Sequence, residues 1–409
     1  MRDVPVGDEP NVHCRAIETS RCAPNMREFQ SNRLVRPVMP ELDSIRGLAI
    51  LGVVFYHGFF WGFSSTLHFS GVGKTLLALT QPGIFGVNLF FVLSGFLISG
   101  ILIDSRDNPA YYRRFYIRRA LRILPVYYAL LTLLLAMRWI TAGYFALSFI
   151  YLSNVTNLFG VSPGYGPLWS LAVEEHYYIF WPLIVRKLTR RQLTWCALGI
   201  CLLVPALRAI SFHFGYKNGL QSYTWFAIDG LAGGSLLAIL VRSRITRKQA
   251  WWISATYFAT AILATVAAPL GILTADRALG AALKHTLVNS FFSGVLLLFL
   301  LLGTSSWKGL VNPGWLRFFG YISYGLYLFH LMIFHLYDLW SKRFWPSLIP
   351  LDYRFDLVAL RFVVAGAVAV GFSVLSRKYF EAKLLALKGP IEARFAPRAA
   401  AVPGAIEEH

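Results

Sequence analysis

The chain has 409 residues, 56% of them hydrophobic and only 14% charged. Ordinary soluble domains carry roughly 25% charged residues, so lipid rather than water is the expected solvent and a polytopic membrane protein the expected class. Lys and Arg outnumber Asp and Glu by 39 to 20, but they cluster in short loops between apolar runs, a positive-inside pattern that argues against a nucleic-acid partner.

The first forty residues are polar and lack the apolar core of a secretory signal. A disordered cytosolic tail over 1–40 is expected, with no cleavable signal peptide. Met26 and Met39 are alternative starts within it, and Cys14 and Cys22 are not expected to form a structural disulfide there. Ten apolar runs long enough to span a bilayer follow, at 44–63, 84–103, 121–140, 168–186, 193–211, 225–241, 251–270, 286–304, 317–340 and 358–377.

With that count, the basic segments DSRDNPAYYRRFYIRRALR, RKLTRRQ, VRSRITRKQ, SSWKGLVNPGWLR and SRKYFEAK all fall on the side of the N-terminal tail. The opposite side receives 141–167, which has no charged residue; the mixed-sign segment 341–357 is the exception. The expectation is an all-α polytopic membrane protein of about ten transmembrane helices with both termini cytosolic. Its transmembrane domain runs over 41–382, and a cytosolic tail over 383–409. Cys196 and Cys201 read as small buried hydrophobes, and no cysteine pair has zinc-ligand spacing with histidines, so no metal site is expected.

Polar groups inside a hydrocarbon slab are expensive and usually face a site in the protein interior. The first run, LDSIRGLAILGVVFYH, carries Arg46 near its start and His57 eleven residues later. At 100° per residue the two share one helix face, roughly 16 Å apart along the axis. A snorkelling arginine and a hydrogen-bonded buried histidine are the plain alternatives to a fixed cation and a titratable base. In the fourth run, PLWSLAVEEHYYIFWPL, Glu174 counts to about the same depth as His57, some 9 Å below the outer surface. A carboxylate beside an imidazole raises its basicity and fixes its tautomer. Glu174 and Glu175 cannot share a face, so one is expected at the site and the other paired elsewhere; a structural bridge between helices is the competing account. His330 lies midway through its run, after Gly320, Ser323 and Tyr324, whose spacing suits close packing and interhelical hydrogen bonds.

The basic loop YYRRFYIRRALRILPVYY places Arg118 and Arg122 on one helix face with Arg119 beside it. Guanidinium forks bind phosphates bidentately, so the loop is either an anchor on anionic lipid or a surface for a phosphorylated donor such as coenzyme A.

Five stretches in order, from about Glu41 to Glu381, resemble the acyltransferase-3 family of bacterial integral-membrane O-acyltransferases, which act on carbohydrates or macrolides. They are R-x10-H in the first run, FGVNLFFVLSGFLIS in the second, RRALRILPVYY opening the third, PLWSLAVEEHYY in the fourth and GYISYGLYLFH near the end. The resemblance implies an acyl group, commonly acetyl, moved from acyl-CoA to a hydroxyl in the bacterial inner membrane, with no permanently bound cofactor. It implies His57, Glu174 and Arg46 as the catalytic set. It assigns substrate binding to Asn88, Ser94, Arg118, Arg119, Arg122, Trp169, Ser170, Glu175, Asp229, Ser323, Tyr324 and His330. The chain departs from the pattern at His176, where relatives often carry Gln, at Ala227, where they often carry Arg, and after Glu381, where a proline is missing.

The expected activity is therefore transfer of an acyl group from acyl-CoA to a glycan, glycolipid or related hydroxyl acceptor. The expected roles are phosphate binding at the arginines and a His57 oriented by Glu174, acting as general base or transient acyl carrier. A secondary transporter or flippase would use the same Arg, His and Glu as a proton or substrate pathway. The sequence favours the enzyme, because the arginine cluster is denser than topology requires and no two spans are broken by Gly and Pro in matching halves.

Overall fold

A computed structural model describes residues 34–60, 69–217, 219–267, 278–348 and 354–394. Among them every regular element is a helix. The principal ones are α1 (Glu41–Phe55), α2 (Gly71–Thr80), α3 (Gly86–Asp104), α4 (Tyr111–Ala136), α5 (Ala142–Phe149) and α6 (Leu168–Lys187). They continue with α7 (Arg190–His213), α8 (Asp229–Leu240), α9 (Arg247–Ala267), α10 (Ala278–Gly303), α11 (Gly314–Phe344) and α12 (Phe355–Leu375). A π-helical turn, Tyr56–Phe60, extends α1, and another, Ser376–Glu381, follows α12.

Among the described residues each expected apolar run falls on a helix, the ends 61–63 and 268–270 of two runs lying outside them, but by length and composition the count differs from ten. Among the described residues, seven helical stretches are long and apolar enough to cross a membrane: Glu41–Phe60, Gly71–Asp104, Tyr111–Ala136, Arg190–His213, Ala278–Gly303, Lys308–Phe344 and Phe355–Glu392. The other three expected runs fall on α6, α8 and α9. The sequence of α6 holds Glu174, Glu175 and His176 and ends in Arg186 and Lys187. Helix α8 has twelve residues, about 18 Å. Helix α9 opens with Arg247 and Lys248. The protein is a multi-pass membrane protein.

Two helix pairs make the frame. A Cβ at Gly47 of α1 would overlap the Leu316 carbonyl of α11, and one at Gly320 would overlap the Asp43 carbonyl, so α1 and α11 meet backbone to backbone. Gly95 of α3 and Gly234 of α8 make the same kind of approach, to Leu231 and Val92. A polar seam then ties α3, α6 and α8 together. The fully buried Trp181 donates to Ser99 Oγ at 2.7 Å, Ser99 bonds Ser235 at 2.7 Å, and Tyr177 also reaches Ser235. In lipid such groups find no water, so the seam satisfies them inside the bundle.

Residues 34–40 pack onto this frame: Leu34 is buried among Leu42, Ile45, Leu300 and Leu301, and Arg36 donates to the Gly303 carbonyl at 2.7 Å and pairs with the buried Glu41. The rest of the expected N-terminal tail, 1–33, and the C-terminal 395–409 lie outside the described residues.

Candidate active site

A cavity of about 400 Å³ opens between α1, α3, α4, α6 and α11. Arg114, Arg118 and Arg122 line it at i, i+4 spacing on α4, with Arg119 beside them and Arg46 reaching in from α1. Five guanidiniums round one cavity make an anion site with forked geometry. Arg46 pairs with Asp43 one turn earlier, and Arg119 stacks on the Tyr178 ring with its guanidinium carbon 4.2 Å from the centroid.

Glu174 faces this cavity. Its carboxylate accepts from Ser94 Oγ at 3.0 Å and from the Tyr178 hydroxyl, one turn along α6, at 2.9 Å. Ser170, Ser323, Tyr324 and Tyr327 complete the lining. The Tyr324 hydroxyl donates to the Ile123 carbonyl at 2.7 Å and so fixes α11 against the arginine-bearing turn of α4. Ser170 Oγ and the Tyr327 hydroxyl lie 2.6 Å apart and narrow the cavity on the side of His330, whose ring is 6.1 Å from that of Tyr327.

Behind that wall stand two histidines. Nε2 of the fully buried His330 lies 3.1 Å from Nδ1 of His57. His330 Nδ1 donates to the Leu326 and Tyr327 carbonyls of its own helix, both at 2.9 Å. That bond fixes the tautomer of His330 and leaves its Nε2 as the acceptor in a neutral ring. His57 Nδ1, also 3.0 Å from the Val53 carbonyl, is then the donor. A neutral His57 held this way carries its lone pair on Nε2.

The structure thus brings Arg46, Ser94, Arg118, Arg119, Arg122, Ser170, Glu174, Ser323 and Tyr324 to one cavity. It does not set Glu174 beside His57, as the depth count suggested. The count assumed that α6 starts at the membrane surface, but the chain before it runs inside the bundle. Tyr165 is buried and its hydroxyl donates to the Leu328 carbonyl at 2.7 Å, two residues from His330. Helix α6 therefore starts near the depth of the histidines, and Glu174 lies about 9 Å farther toward the arginines.

Four other expected ligand residues lie outside the cavity lining. Asn88 donates to Asn289 of α10 at 2.8 Å. Trp169 packs edge-on against Phe91. Glu175 is absent from the lining, as the 100° between neighbours suggests, but the partner expected for it is not seen among the described residues: its buried Oε1 accepts no hydrogen bond. Asp229 is an anchor: it takes a 2.7 Å ion pair from the buried Arg208 and a 2.7 Å hydrogen bond from Thr286. Arg208 supplies the cation for which the sequence offered no candidate, as Ala227 is not basic, and it also caps the Phe226 and Ala282 carbonyls. His176 bonds Thr224 at 2.6 Å in a separate apolar groove.

Sequence reasoning did not single out Arg114 alone, Tyr178 or Tyr327. The signals were present: Arg114 precedes Arg118 by four residues, Tyr178 follows Glu174 by four, and Tyr327 precedes His330 by three. All are spacings that share a helix face. Among the described residues no cluster of His, Cys, Asp and Glu could hold a metal ion.

A helical membrane bundle with an arginine-lined cavity and an adjacent histidine pair is a buried polar site of the kind that marks a membrane enzyme or a transport pathway rather than a passive anchor. Comparison with known proteins makes the class specific. The acyltransferase-domain family profile matches residues 39–378. The chain is 26% identical over 379 residues to the putative peptidoglycan O-acetyltransferase YrhL of Bacillus subtilis, covering 84% of this chain and 57% of that one. It is 26% identical over 377 residues to the peptidoglycan O-acetyltransferase OatA of Listeria monocytogenes, covering 81% and 56%. A putative O-acetyltransferase of Staphylococcus aureus is 29% identical over 227 residues, covering 50% and 34%. The chain spans about half the length of the curated relatives it matches over most of its own. No solved structure matches. The chain belongs to the acyltransferase-3 family and carries its acyltransferase domain.

Proposed function

We propose that the protein moves an acetyl group from acyl-CoA to a hydroxyl of a cell-envelope glycan. The observation that carries this reading is the cavity lined by Arg46, Arg114, Arg118, Arg119 and Arg122, with Glu174, Ser94 and Tyr178 in the same lining. Five guanidiniums suit a polyphosphorylated head, and the apolar side chains deeper in the cavity suit an extended arm. The relatives named as peptidoglycan O-acetyltransferases support a glycan acceptor. With α6, α8 and α9 counted as spans beside the seven, the one-sided charge pattern supports a bacterial inner membrane protein with the arginines and both termini in the cytosol.

In this reading the donor's phosphates dock on the arginines and its thioester reaches past Ser170 and Tyr327 toward His57. His57 Nε2 takes the acceptor hydroxyl proton as the oxygen attacks the thioester carbonyl. The C–S bond breaks, and the proton passes to the departing thiolate. His330, in place of Glu174, orients the base. Asn88, Trp169, Glu175 and Asp229 support the cavity from outside its lining.

Radiolabelled acetyl-CoA given to purified protein in detergent, with muropeptides as acceptor, tests this. Label is expected to leave CoA and reach the muropeptides with native protein and not with His57→Ala. Native protein that neither binds nor cleaves acetyl-CoA refutes the donor, and label that leaves CoA without reaching any glycan refutes the acceptor.

A further inference from the structure

The histidine pair stands on two helix turns that are both held from outside. His57 lies in the π turn Tyr56–Phe60, where α1 widens. Such turns are rare and store a local irregularity that the surroundings must maintain. Two side chains from elsewhere in the fold grip these turns.

The first is Arg361 of α12, a cation only 5% exposed. Its guanidinium forks onto Asp338 of α11, with Nε 2.5 Å from Oδ1 and Nη2 2.7 Å from Oδ2. Its Nη1 donates to the Gly58 carbonyl at 3.2 Å, the residue after His57. The same guanidinium lies over the Phe334 ring at 4.8 Å. Gly58 in turn is wedged against Phe334 and Phe362, where a Cβ would not fit. One planar side chain therefore joins α12, α11 and the π turn, which an ammonium on a flexible stem would not do with the same geometry.

The second is Tyr165, from the buried segment before α6. Its hydroxyl donates to the Leu328 carbonyl at 2.7 Å and accepts from the Met332 amide at 3.0 Å. Those are the two groups an undisturbed α-helix pairs with each other. Between them sits His330. The helix runs unbroken through this point, so the hydroxyl pins the turn from outside without displacing it.

We propose that Arg361 and Tyr165 are positioning residues for the His57–His330 pair: neither touches the reacting atoms, and each sets the angle of one imidazole. The inference rests on the proposed chemistry of His57 for its catalytic consequence, though the geometric part stands without it. Removing either grip is expected to leave the donor site, on the far side of Tyr327, unchanged.

The test uses Tyr165→Phe and Arg361→Lys in the full-length protein, both near-isosteric or charge-conserving so that the bundle folds. Two readouts are taken. In acetyl transfer, kcat is expected to fall about tenfold or more while the KM for acetyl-CoA stays within twofold. In diethyl pyrocarbonate labelling read by mass spectrometry, which needs no turnover, the rate at His57 is expected to rise at least threefold. The exposed His213 serves as internal reference and stays constant. If kcat and the His57 labelling rate both match the native protein, or if KM rises with kcat, the positioning role is refuted. If native protein transfers no acyl group, the proposed reaction has failed, and the labelling arm alone decides whether the two residues hold the pair.

Discussion

The two ends of the α1–α11 pair are built on opposite plans. At one end five arginines line an open cavity, and the charges of four are met by Asp43, by the face of Tyr178 and by Glu392. At the other, two histidines are enclosed, their Nδ1 atoms held by backbone carbonyls and their turns gripped by Arg361 and Tyr165. The first arrangement binds by charge and tolerates motion. The second fixes tautomer and angle and tolerates little. In the proposed reading affinity and chemistry therefore fall on different groups, so each can be removed without the other.

The largest expected effect lies at the enclosed end. His57→Ala should lower kcat at least about 10²-fold, the usual worth of a positioned general base, while acetyl-CoA binding measured by filter retention stays native. Loss of binding in that variant would merge the two ends into one site. The next effect belongs to neither end. Arg208→Ala leaves Asp229 buried without its cation and should cost roughly 3–5 kcal/mol of stability, seen as a lower unfolding midpoint in detergent. The folded fraction should keep its acetyl-CoA KM; a raised KM would return Asp229 to the binding site. At the open end, Arg122→Ala should raise the acetyl-CoA KM about tenfold with little change in kcat, the size of one charge-assisted hydrogen bond. A fall in kcat alone would overturn the division.

The smallest effect concerns the helix Lys388–Arg394, where Glu392 pairs with Arg118 at 2.8 Å and with Arg114 at 3.5 Å, two residues of the cavity lining. All three are partly exposed, so the contact is weak. Glu392→Gln should lower the KM for acetyl-CoA by about two- to fivefold, read by donor titration. An increase would mean that the carboxylate helps the donor instead of competing with it.

The open end was legible in the sequence because its signal is local. Arg118, Arg119 and Arg122 sit within five residues, and helical spacing alone puts Arg118 and Arg122 on one face. Arg46 and His57 were legible as one face of one helix for the same reason. The partner of His57 was not, since it depends on which helices touch. The count from the ends of apolar runs paired His57 with Glu174, whereas the contact of α1 with α11 at Gly47 and Gly320 pairs it with His330. Gly320 hinted at that contact, but a small residue says that something comes close, not which helix it is. The count of spans differs for a related reason: α6 is helical as expected, yet with Glu174, Glu175 and His176 it is not among the described helices long and apolar enough to cross a membrane. Asp229 shows the converse limit, because its partner Arg208 stands on a helix that no motif marked.

The backbone contact of α1 with α11 also makes a ruler. Arg46 and His57 lie eleven residues apart on one helix, roughly 16 Å, and α11 splints that interval so that it cannot shorten. In the proposed reading, an activated acyl group whose charge sits directly on its leaving atom, as in an acyl phosphate, is too short to rest on the arginine and reach the imidazole at once. One whose charged head and reactive carbonyl are separated by a long, thin tether has the right measure. Selection among donors would then come from length before it comes from any contact with the acyl group itself.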